Sequence, residues 1–144
     1  MKAKLFTCAR GVSIDRHSNN LSIFEVVEDV APAAYPAMLA KFNVVLVVEK
    51  DVGDPDQCTL ILDVKQSNQA AFSHPIEIDF DGKRRSRSVV EFPAIPLMNP
   101  GTLSLVMKDE TGKFRAQYDI DLRPPPSPVG PPETHSVAAD GRTE

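Results

Sequence analysis

From Phe114 to Leu122 the chain alternates without a break. Phe114, Ala116, Tyr118, Ile120 and Leu122 are apolar or aromatic, whereas Arg115, Gln117, Asp119 and Asp121 are polar. A period of two puts successive side chains on opposite faces of a strand, one buried and one wet. Asp109-Glu-Thr-Gly112 supplies turn residues just upstream, and Leu103, Leu105 and Met107 give a preceding arm the same apolar face. The region predicts a closing β-hairpin that begins near Gly101.

Six further strand-like segments precede it, separated by turn signals. They run from about 4 to 10, 21 to 28, 42 to 49, 58 to 64, 75 to 81 and 88 to 92. In the fourth, Cys58, Leu60, Leu62 and Val64 alternate with Thr59, Ile61 and Asp63; in the fifth, Ile76, Ile78 and Phe80 alternate with Glu77, Asp79 and Asp81. The third contains Val44-Val-Leu-Val-Val48 and is apolar on both sides. Such a strand sits centrally, with the core on one face and a loop or a partner over the other. Asp51-Val-Gly-Asp-Pro-Asp56 and Gln66-Ser-Asn-Gln69 read as turns, because their residues bond their own backbone or accept unusual φ. No segment combines a helical period with caps. The best candidate is a single turn over Pro36 to Lys41, where proline suits a first helical position.

Eight strands at this spacing predict an all-β fold, an antiparallel immunoglobulin-like sandwich of seven to eight strands. A C2-domain-like sandwich would give nearly the same pattern. Of the thirteen prolines, six fall in Pro124-Pro-Pro-Ser-Pro-Val-Gly-Pro-Pro132. A run of this kind cannot join a sheet ladder, so residues 1–122 are expected to form the domain and 123–144 a disordered Pro-rich tail.

Apolar residues make up 42% of the chain, enough for one continuous core, and without Trp it must be packed mainly by Val, Ile and Leu. A net charge of −4 argues against a dedicated nucleic-acid binder. Arg10, Asp15 and Arg16 interrupt the N-terminal region before it can form a signal-peptide core, and no window has the roughly 18 apolar residues of a membrane span. The expectation is a cytoplasmic protein without membrane contact. Cys8 and Cys58 lie in strand patterns at no metal-ligand spacing; two buried thiols are expected rather than a disulfide.

The opening Cys8-Ala-Arg-Gly-Val-Ser-Ile-Asp15, followed by Asn20-Leu-Ser-Ile-Phe24, Ala31-Pro-Ala-Ala-Tyr-Pro-Ala37 and the apolar strand 42–48, resembles an uncharacterised bacterial family of small immunoglobulin-like β-sandwich proteins. Pro96-Leu-Met-Asn-Pro-Gly-Thr-Leu-Ser-Leu105 looks like the approach to the penultimate strand of many immunoglobulin-like domains, although those often carry a tyrosine near the position of Leu103. The resemblance covers about residues 4–122. It implies a fold and a bacterial setting, with no activity, and no functional residue is carried over from it.

Candidate chemistry is sparse. Lys83, Arg84, Arg85 and Arg87 place four positive charges in five residues and could contact an anion or nucleic acid. If Asp81-Gly82-Lys83 closed a hairpin, however, Arg85 would face Asp79 and Arg87 would face Glu77, neutralising the patch. Asp51, Asp54 and Asp56 gather three carboxylates, but not at the spacing of a calcium loop. His17 and His74 lie in polar loops and His135 in the tail, and no catalytic motif appears. No cofactor or metal is implied, and the chain is read as a non-enzyme. The loop Ala31–Leu39 is apolar, with Tyr35, Met38 and Leu39 as its large groups. Connections usually run polar over the surface, so this one either plugs an end of the sandwich or presents a protein contact. The reading of the whole is a protein-interaction or structural module with a protein partner or self-association; the alternative is anion or nucleic-acid binding through Lys83–Arg87.

Overall fold

The structure is a computed structural model that describes residues 1–67 and 69–127. Among these there is no helix, and eleven strands form: β1 (Lys2–Ile14), β2 (Leu21–Val26), β3 (Asp29–Val30), β4 (Ala37–Leu39), β5 (Phe42–Glu49), β6 (Gln57–Gln66), β7 (Gln69–Asp79), β8 (Arg85–Phe92), β9 (Ile95–Leu97), β10 (Gly101–Lys108) and β11 (Arg115–Leu122). All eight segments read from the pattern are strands. The three extra ones are two or three residues long, too short to show a period.

The expected helical turn at Pro36–Lys41 is instead β4, which pairs with β9 in a two-stranded ledge. One isolated helical turn fixes several dihedrals for a single hydrogen bond. Pairing with Ile95–Leu97 lets Leu39 and Leu97 enter the core, where both are essentially inaccessible. The Tyr35–Pro36 peptide is cis.

The long strands form two open sheets, ordered β2-β1-β5-β8 and β3-β11-β10-β6-β7. One core lies between them. Cys8, Val44, Leu46 and Val48 from the first sheet meet Leu60, Leu62, Val64, Leu103, Leu105, Met107, Ile120 and Leu122 from the second. The closing hairpin follows its pattern: Phe114, Ile120 and Leu122 point inward with Leu103, Leu105 and Met107 opposite. Its turn is capped by Asp109, whose Oδ1 accepts the Phe114 amide at 3.1 Å, and Gly112 takes φ 73° there. Phe42 stacks on Phe92 at 5.5 Å between ring centroids and closes the core at the β5–β8 end.

The second apolar face of β5 is covered by the chain itself. β1 leaves β5 at Ala9 and continues with β2 as a two-stranded arm. Near its tip, the carbonyl and side-chain oxygens of Asn19 accept bonds from Arg87, at 3.0 and 2.8 Å. Arg87 lies on β8 opposite Val47, near the far end of the sheet. The arm therefore runs back across the sheet's outer surface. Val45 is fully buried although it does not belong to the core between the sheets.

Candidate functional site

The Lys83–Arg87 run does not form the expected hairpin. β7 lies in one sheet and β8 in the other, so the turn at Phe80–Lys83 is a crossing between sheets. Asp79 stands opposite Gln57 and Glu77 opposite Thr59, which corrects the predicted pairs of Asp79 with Arg85 and Glu77 with Arg87. The apolar β5 draws β8 into its own sheet, and that brings Arg85 opposite Glu49. Arg85 Nε donates to Glu49 at 2.8 Å and Arg84 Nη2 at 3.0 Å, with Lys2 at 3.6 Å. The hydrogen bond from Arg85, with Arg84 beside it, holds the Glu49 carboxyl below the usual carboxylate range. Lys83 and Arg85 line a cleft of about 450 Å³ with Asn19, Leu21, Asp79 and Asp81. Three of the four predicted anion contacts thus already bond within the protein: Arg84 and Arg85 to Glu49, and Arg87 to Asn19.

The second predicted set separates. Leu39 is buried in the core and offers no surface. Tyr35 is half-buried against that core, and its hydroxyl donates to the Arg123 carbonyl at 2.7 Å. Met38 alone is open, 60% exposed. It stands opposite Pro96 on β9, and Met98 follows at 55% exposed. Gln66 fixes this strip: its Nε2 donates to the Pro96 carbonyl at 2.6 Å and its Oε1 accepts the Met98 amide at 3.1 Å. Met38, Pro96 and Met98 therefore form an apolar outcrop on a clamped backbone. Pro96 and Met98 escaped the sequence reading. The signal was present, since Phe92–Pro100 is another apolar connection of the kind that singled out Ala31–Leu39.

The reactive side chains are dispersed. Cys8 is buried, and desolvation pushes its thiol up to about 12. Cys58 is free and half-buried, its thiol also raised by burial, with Met1 Sδ at 3.9 Å. His74 is not in a loop as expected but within β7, opposite Leu62, and packs edge-on against Phe92; His17 sits in the β1–β2 turn, where its amide donates to Asp15. His135 lies outside the described residues. In the acidic loop, Asp51 and Asp54 take the Met1 amino group at 2.5 and 2.8 Å, while Asp56 takes Lys50 at 2.6 Å and the Gly82 amide. Among the described residues, no three His, Cys, Asp or Glu side chains are placed to hold a metal ion, and no helix is long and apolar enough to cross a membrane.

No protein-family model, no curated protein and no solved structure matches this chain.

Proposed function

We propose that the chain is a non-enzymatic protein-interaction module on an immunoglobulin-like sandwich, and that Met38, Pro96 and Met98 are its contact surface. The immunoglobulin-like reading is supported by connectivity. β5 lies beside β8 in one sheet, β6, β10 and β11 are neighbours in the other, and β3 joins β11 in parallel. That is the arrangement of strands B and E, then C, F and G, in such domains. The observation that carries the interaction reading is the exposure of Met38 on β4 and of Met98 just past β9, the strand paired with it, on a ledge clamped by Gln66. Methionine is enriched at interfaces, and its flexible, polarizable side chain adapts to the surface it meets. An apolar outcrop on fixed backbone presents contact area without an ordering cost at the backbone. The partner fitted by this surface is a protein with an apolar groove. The alternative, anion binding through Lys83–Arg87, has less to stand on because Arg84 and Arg85 are already paired with the Glu49 carboxylate, whereas Arg87 bonds only uncharged oxygens of Asn19 and keeps its charge.

The test compares captures from native-host lysate by the wild type, Met38→Glu/Met98→Glu and Lys83→Ala/Arg85→Ala. A partner lost only with the methionine variant, whose melting temperature stays within a few degrees of wild type, supports the ledge. A partner lost only with the cation variant, or removed by nuclease, overturns it in favour of the anion reading.

A further inference from the structure

Four strands end the two sheets, β2 and β8 in one and β3 and β7 in the other; β1 also has β5 alone as a partner strand over Lys2–Thr7, and there a register shift between Ala3 and Leu5 breaks the regular edge. Exposed edges pair with other chains unless something blunts them. Three of these four are blunted. β7 carries Pro75, which cannot donate to a ladder. β3 is two residues long, and Pro32 follows it closely. β2 is interrupted by Glu25 at φ 54°, a left-handed conformation that breaks the regular ribbon. The fourth, β8, spans Arg85–Phe92 with no proline, no glycine and no left-handed residue. Its start is tied to β7, where the Ser86 hydroxyl donates to the Asp79 carbonyl at 2.8 Å.

The outward side of β8 reads Arg85, Arg87, Val89, Glu91, the residues opposite Glu49, Val47, Val45 and Asn43 of β5. Around Val89 this pattern complements itself. If two copies of β8 pair antiparallel with Val89 opposite Val89, each Arg87 stands opposite the other chain's Glu91. Opposite charges in cross-strand pairs attract, and like charges there repel. Val89 and Glu91 are both exposed, at 37% and 60%. Among the described residues Glu91 pairs with the exposed Lys41 at 3.0 Å, a pair loose enough to rearrange.

We propose that β8 is the dimerisation edge of this protein: a second copy of the chain adds across a two-fold axis at Val89, joining the two four-stranded sheets into one of eight strands. The interface is isologous, with Arg87 and Glu91 setting its register. It does not depend on the methionine ledge, which lies on a different pair of strands, β4 and β9.

The experiment is sedimentation equilibrium of the full chain, up to roughly millimolar protein. The wild type, Arg87→Glu, Glu91→Arg and an equimolar mixture of the two variants are compared, with Asn19→Ala as a control for the hairpin contact. The expected result is a wild-type dimer that weakens in high salt. Each single variant should dimerise more weakly by roughly tenfold or more, since two pairs turn from attractive to repulsive. The mixture should recover a heterodimer. One chain then carries acids at both positions and the other bases at both, so each cross-strand pair is attractive again. Asn19→Ala should dimerise like the wild type. A wild type that stays monomeric, single variants that dimerise as well as wild type, or a mixture that fails to recover association would each overturn the proposal. A fold lost in one variant would show in its circular dichroism, and the same comparison would then be made with Arg87→Gln and Glu91→Gln, each expected to weaken the dimer and overturning it if neither does.

Discussion

Glu49 is a carboxylate with 2% of its side chain exposed, under Arg84, Arg85 and Lys2. The bond from Arg85 lowers its pKa in the fold, so the unfolded chain binds this proton more readily than the folded one. The stabilisation is present above the ordinary carboxyl pKa and is lost as pH falls through the depressed folded value. Glu49→Gln removes that linkage. Thermal melts across the acid range should therefore fall less steeply for the variant than for the wild type, and parallel curves would show that Glu49 is not linked to folding. Asp63 follows the same logic on the other sheet, where Lys108 at 2.7 Å and the Ser73 hydroxyl lower its pKa. In both cases the residue type was plain in the sequence and its partner was not. Each partner comes from a strand brought alongside by register.

Two side chains tie the β1–β2 arm to the outer face of its sheet: Arg87 makes two bonds to Asn19 near the tip, and Asn43 Nδ2 donates to the Arg10 carbonyl at 3.2 Å near the base. The bond to the carbonyl survives Asn19→Ala, while the bond to the side-chain oxygen is removed. Both groups are exposed, so the loss should be local. Amide exchange along Gly11–Phe24 is expected to speed by roughly threefold to tenfold, on the scale of one charge-assisted hydrogen bond near the surface. The core strands β5, β6 and β10 should keep their protection. Uniform acceleration across the whole chain would instead mean that the arm unfolds only with the domain. The arm also explains the double apolar character of Val44–Val48: the even positions serve the core between the sheets, and Val45 lies under the chain's own hairpin.

At the scale of the whole molecule, Tyr35 packs against the core and its hydroxyl bonds the Arg123 carbonyl where β11 ends. Tyr35→Ala should cost about 2 kcal/mol, a fall in melting temperature of roughly 10 °C. An unchanged melt would return Tyr35 to the surface and to partner contact. The sequence by itself determined the all-β class, the presence of all eight long strands but not the reach of β1 to Ile14 or of β7 back to Gln69, the closing hairpin and its turn, and the inward residues of β6, β7, β10 and β11. Alternation is a local property: which of two faces a side chain takes follows from its neighbours along the strand. The short strands β3, β4 and β9 left no such record, because two or three residues cannot display a period. Which strands pair was decided only in three dimensions. The basic run faces Glu49 and Asn19 instead of Asp79 and Glu77 because β8 pairs with the apolar β5 and leaves β7 to the other sheet. Met98 joins Met38 for a similar reason, since the ledge forms when Leu39 and Leu97, far apart in the chain, are buried together. Pairing between distant segments depends on the burial that the whole arrangement achieves, and no single segment encodes that total.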